Sequence, residues 1–187
     1  MKTVVICTSS DALAGVERML EAAGITDVTR CDGADPRSFC MDKGYELIVS
    51  VLPFAGELGL NTIAYFCANT SAEQVAFVPS KIYDEVSSKL NGLNVSLLPK
   101  NVPMSIAVNV IRKAVSVKQS MDMIRGENDG LRRRAEADRL IYRAKCMLIE
   151  YLNMTEEEAH RYLQKRAMDR HSPMEEQALE ILKTYQR

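Results

Sequence analysis

Six basic side chains cluster late in the chain: Arg143, Lys145, Arg161, Lys165, Arg166 and Arg170. Arg161 and Lys165 are four residues apart, as are Arg166 and Arg170, so on a helix each pair shares a face. Such groups bind anions. Ammonium and guanidinium charges neutralise phosphates, and guanidinium planes, with Tyr142 or Tyr162, stack on unpaired bases. The bland assignment is a solvated helix face paired with Glu156, Glu157 and Glu158. The nearby "LRRRA" (131–135) divides the same way, between nucleic-acid contact and the flank of a coil. The net charge of −1 hides an asymmetry: residues 1–100 carry 8 Lys/Arg against 12 Asp/Glu, residues 131–187 carry 12 against 10. That imbalance points toward an anionic partner for the tail.

A second group consists of hydroxyls and one lysine: Thr8, Ser9, Ser10, Ser50, Ser80 and Lys100. Each falls at the carboxyl end of a predicted strand, where open α/β sheets bind ligands. Other chemistry finds no support. There is no G-x-G-x-x-G, no G-x-x-x-x-G-K-[ST] and no H-E-x-x-H. His160 and His171 have no serine or cysteine neighbour that would suggest a nucleophile. Five scattered cysteines without a C-x-x-C pair read as reduced cytosolic thiols. Catalysis by Ser50 and Lys100 is the weakest option. No enzyme activity, cofactor or metal is expected.

These residues need elements to position them. Strand patterns at 3–7, 26–31, 46–52, 74–78 and 94–98 alternate with helical patterns at 11–24, 35–43, 57–69 and 80–92. The expected fold is α/β: a flavodoxin-like, doubly wound, five-stranded parallel sheet. No strand follows "PKNVP" (99–103). Val110, Val117, Ile124 and Leu131 recur every seven residues, as do Ala114, Met121, Asn128 and Ala135. In a heptad these occupy d and a, with Asn128 as a register-setting polar a residue of a two-stranded coil. Val117, Met121, Ile124, Asn128 and Leu131 are the expected dimer seam; the alternative is a last helix with a frayed end. Three helical pieces end the chain. The first is 138–152, closed by Asn153. Thr155 with Glu158 opens the second as a capping box, and Ser172 with Glu175, around Pro173, opens the third. The expected domains are 1–105, 106–135 and 136–187.

The stretch "RAKCMLIEYLNMTEEEAHRYLQKRAMDRHSPMEEQALEIL" resembles an ANTAR domain, a three-helix RNA-binding output module of bacterial antiterminators. The resemblance rests on Arg143, Ala144, Lys145, Leu148, Thr155, Glu158, Ala159, Leu163, Ala167, Met168, Arg170, Ala178 and Ile181. It departs at Cys146, where the family usually has glycine, a change expected to loosen a close helix packing. The resemblance implies a homodimer that binds paired stem-loops of leader RNA and prevents a terminator hairpin; Arg143, Lys145, Arg161, Lys165, Arg166 and Arg170 supply the charge expected to meet the phosphates.

The front half resembles a response-regulator receiver, the usual partner of that module in two-component signalling. The family has two acids after the first strand, a phosphoacceptor aspartate after the third, Thr/Ser after the fourth and Lys after the fifth. This chain has Thr8 and Ser9, then Ser50 or Val51, then Pro79 or Ser80, then Lys100. Carboxylates hold the Mg²⁺ and accept the phosphoryl group, and hydroxyls or valine do not replace their charge. The resemblance therefore implies a pseudo-receiver that is not phosphorylated on aspartate, with Asp11 as a helix cap. It would act as a dimerisation scaffold or bind a protein or small ligand in the old cleft. No apolar run is long enough to span a membrane, and the N-terminus lacks a signal-peptide core; a cytoplasmic location is expected. The competing function is a dimeric interaction scaffold that does not bind RNA.

Overall fold

The computed structural model describes residues 1–32, 34–40, 43–54 and 59–185. The chain forms two compact units, Met1–Asp122 and Met123–Arg187. In the first, strands β1 (Thr3–Ile6), β2 (Val28–Cys31), β3 (Leu47–Val51), β4 (Glu73–Val78) and β5 (Ser96–Pro99) make one parallel sheet in the order β2-β1-β3-β4-β5. That is the flavodoxin-like order expected from the sequence. The inner strands β1 and β3 are buried at every residue, whereas the edge strands β2 and β5 are half covered. This is why "TVVI" and "LIVSV" read as continuous apolar runs rather than alternations.

Alternate residues feed two cores. Val4, Ile6, Ile48, Leu52, Ala76 and Val78 face one side of the sheet. They are covered by α2 (Pro36–Cys40), α3 (Leu60–Asn69) and α4 (Tyr83–Lys89), through Cys40, Ile63, Phe66 and Val86. Val5, Leu47, Val49, Val51, Val75 and Phe77 face the other. There α1 (Ser10–Ala22) contributes Val16 and Leu20, and the start of α5 (Met104–Leu152) contributes Ala107, Ile111 and Ala114.

Three expectations change in detail. The helix read over 80–92 is a 3-10 turn, Ser80–Ile82, followed by the short α4. Ser9, not Asp11, caps α1: its side chain accepts from the Ala12 N–H, and Asp11 lies in the first turn. Residues 41–42 of the helix expected at 35–43, residues 57–58 of that expected at 57–69, and residues 186–187 lie outside the described residues. The coil and the first tail helix, read as two pieces, are one 49-residue helix. No proline lies between Pro103 and Pro173, and Gly126 and Gly130 at about 1 kcal/mol each do not stop a helix.

One glycine is required by contact. Gly59 precedes α3 with φ of 78°, and a Cβ there would run into Leu52 Cδ2 and sit 2.7 Å from Phe54 Cδ2. Gly59→Ala is expected to cost about 2–4 kcal/mol from the left-handed backbone and overpacking together. Urea unfolding of the variant should show a lower midpoint at unchanged slope.

In the second unit the end of α5 packs with α6 (Glu156–Asp169) and α7 (Met174–Tyr185). Ala144, Ala159 and Ala178 are fully buried beside Leu148, Leu163 and Ile181. Small side chains on all three helices let the backbones approach closely. Asn153 closes α5 as expected, with φ of 51°. His171 takes the same left-handed conformation after α6, and the Ser172 N–H reaches back to the Ala167 carbonyl (3.0 Å).

Candidate nucleic-acid interface

The basic residues fall into three situations. Arg143 is exposed on α5, and Lys165 is exposed on α6. Lys145 donates to Glu156 (2.8 Å) and lies 5.9 Å from the Tyr142 ring centre; Arg161 stands 3.8 Å from Glu157. Arg166 and Arg170 both donate to Glu180 of α7, at 3.1 Å from Arg166. Arg166 is the most tied down, with further bonds to Gln177 Oε1 (2.9 Å) and the Tyr162 hydroxyl (3.3 Å).

The i, i+3, i+4 and i+8 spacing of α6 brings Tyr162, Lys165, Arg166 and Arg170 to one groove, which Asp169 also lines. An aromatic ring beside three cations is the arrangement that accepts a base and its phosphates. Arg143, Lys145 and Arg161 do not line it. Sequence reasoning missed Glu180 and Gln177. Gln177 is buried, 3% exposed, and links Arg166 to Ser172 Oγ (2.8 Å). Nothing in its own spacing marks it; only the packing of α7 on α6 does.

The first expected capping box is present. Thr155 Oγ1 accepts from the Glu158 N–H (3.3 Å), and Glu158 accepts from the Thr155 N–H (2.8 Å). The second, on Ser172 and Glu175, is not formed among the described residues, because Ser172 Oγ serves Gln177 instead. Cys146 is exposed, so the expected loosening of a close packing does not apply; Ala144 and Leu148 make the buried contact.

Three glutamates of this unit titrate below the usual 4.5: Glu156 through the Lys145 hydrogen bond, Glu158 through the Thr155 backbone N–H, and Glu180 through the Arg166 hydrogen bond. Each holds fewer protons folded than unfolded. Their stabilisation is therefore complete above the unfolded value and is lost as pH falls through the lowered one. A thermal melt followed by helical circular dichroism should show the melting temperature steady near pH 7 and falling below about pH 4.5. All three are solvent-exposed, so added salt should shrink the effect.

At the carboxyl ends of the strands, Thr8, Ser9, Ser80 and Lys100 are exposed, while Ser50 and Val51 are buried at 1% and 4% exposure. Ser9 is used as a cap, and Ser80 Oγ donates to Asn101 (2.7 Å). Ser50 Oγ has no hydrogen-bond partner among the described residues. Ser50 and Val51 are therefore core residues rather than open cleft residues. Among the described residues no group of three or more His, Cys, Asp or Glu side chains is placed to hold a metal ion. Also among them, no helix is long and apolar enough to cross a membrane.

The sheet topology defines a receiver-like fold, and a three-helix unit follows it along the chain. A crystal structure of a response regulator receiver domain protein from Clostridium thermocellum matches over 64% of this chain and 98% of its own, with a TM-score of 0.51 at 19% identity. Residues 129–182 match the ANTAR domain family, so the chain couples a receiver-like fold to an ANTAR domain. No curated protein matches the chain.

Proposed function

We propose that the protein is a homodimeric RNA-binding regulator of transcription antitermination that engages leader-RNA stem-loops through its ANTAR domain. The observation that carries this reading is the α6 groove of Tyr162, Lys165, Arg166 and Arg170, inside the matched residues. Arg143, Lys145 and Arg161 extend the basic surface. In functional terms the chain divides into a receiver-like domain (1–105), a coil (106–135) and an RNA-binding domain (136–187). The front domain is a pseudo-receiver: Thr8, Ser9, Ser50, Val51 and Ser80 stand where Mg²⁺ binding and phosphoryl transfer need acids, and Lys100 alone is kept. Its role is regulatory rather than catalytic, as scaffold or as receptor for a partner, in the cytoplasm.

The test is a mobility shift with paired hexaloop hairpins from the host's leader RNAs, with duplex DNA as control, on untreated protein. A salt-sensitive shift of the RNA alone is expected. One observation favours a second reading, a dimeric scaffold that does not bind RNA: Lys145, Arg161, Arg166 and Arg170 already have carboxylate partners. Absence of any shift would favour it.

A further inference from the structure

The basic side chains of the second unit divide by whether a carboxylate already holds them. In the α6 groove Arg166 and Arg170 are both bonded to Glu180. On α5, Arg132, Arg139 and Arg143 are exposed, and none of the three has a carboxylate partner among the described residues. At 3.6 residues per turn, steps of seven and eleven residues return to within about 20° of one face, so the three form a straight stripe roughly 16 Å long. Glu136 stands near the middle of that face, exposed and likewise without an ion pair among the described residues. Ala144 and Leu148, which pack on α6 and α7, point to another side of the helix.

A place on the flank of the coil does not account for all three. In the heptad Arg132 and Arg139 take e positions beside the seam, and e residues are matched by opposite charges at g of a second copy. Glu127 holds the g position that faces Arg132, but Arg134 holds the one that faces Arg139, and Arg143 takes b, off both flanks. A parallel dimer therefore sets like charges against each other here and strengthens the positive field instead of cancelling it.

An external polyanion meets the same stripe well. Tyr142 points about 100° away from Arg143, so no aromatic ring on this face stacks on an unpaired base. A row of charges on a rigid rod meets phosphates, and paired RNA is recognised through its backbone and shape rather than its base edges. We propose that Arg132, Arg139 and Arg143 bind the phosphate backbone of the double-stranded stem of a hairpin, while the α6 groove takes its loop. The proposal rests on the RNA-binding reading and extends it from loop to stem. Three exposed charges hold a duplex weakly by themselves; they add to a hairpin already tethered by its loop, where the stem's local concentration is high.

The experiment uses the full chain in mobility shifts with two hairpins that share one loop, one on a stem longer than the stripe and one cut well short of it. The chain should bind the long stem about ten-fold more tightly. Arg132→Gln with Arg139→Gln should lose that advantage and bind both hairpins with the short-stem affinity. Its salt slope for the long stem should be shallower by about 1.8, taking the duplex value of about 0.9 per contact. Glutamine matches arginine closely in helix propensity, and sedimentation should give variant and parent the same oligomeric state. Equal affinity of the parent for the two stems, or a variant that keeps the long-stem preference, would overturn the proposal and leave the RNA-binding reading standing. A parent that shifts neither hairpin would overturn both. A variant with a changed oligomeric state would assign the stripe to the coil and overturn the proposal as well.

Discussion

Lys145→Ala combined with Arg170→Ala is expected to weaken RNA binding by about 10- to 100-fold at moderate salt, two charged contacts' worth. The slope of log K against log salt should become shallower by about 1.4, since each single-strand phosphate contact contributes roughly 0.7. The pair is chosen because the fold tolerates its loss. Removing Lys145 frees Glu156, which is 73% exposed and readily hydrated. Removing Arg170 leaves Glu180 still bonded to Arg166. Arg166→Ala is a poorer probe: it strips a partner from buried Gln177 and would cost the tail about 1–3 kcal/mol. Unchanged affinity in a double variant with full helical signal would refute the assignment of these two residues.

The second large effect concerns the coil. Val117, Met121, Ile124 and Leu131 are 37%, 52%, 52% and 61% exposed, and Asn128 on the same stripe is exposed too. From 119 to 139 only Gly130 and Ala137 are partly covered. A helical stretch of this length without tertiary cover, and with two glycines, is marginal by itself. A second copy laid along the stripe would bury each apolar side chain for about 1.5–3 kcal/mol. Ile124→Glu with Leu131→Glu is expected to convert a dimer to monomer in sedimentation. RNA affinity should fall by about 10²-fold or more, because two linked hairpins then lose simultaneous engagement. A doubly substituted chain that remains dimeric would place the interface elsewhere. Ala114 is 5% exposed in the front unit's core and Val110 packs partly against it, so neither is free for such a seam.

The fold was legible because its signals are local. Runs such as "TVVI" and "LIVSV" announce doubly buried strands, and five strand–helix alternations leave few parallel topologies to choose from. Thr155 and Glu158 mark a helix start by spacing alone, and the box forms as read. The less legible features depend on competition between neighbours. Ser9 and Asp11 both suit a cap, and only the path of the chain out of β1 chose the serine. Ser172 has capping chemistry, but Gln177, brought close when α7 packs on α6, takes its hydroxyl. The break expected between coil and tail does not occur because polar helix surface carries no stop signal without proline or a cap.

The sequence by itself determined the strand order, the helical tail and the residue types that could meet phosphate. Periodicity, turn residues and motif spacing act over a few residues and survive in a one-dimensional reading. Only the tertiary structure decided which charges are free. Glu180 lies ten residues beyond Arg170 in the chain, yet it binds both Arg166 and Arg170 once α7 folds back on α6. It also decided that Ser50 is sealed in the core while Lys100 stays open. Burial and ion pairing depend on distances between elements, and those are set by packing rather than by neighbours along the chain.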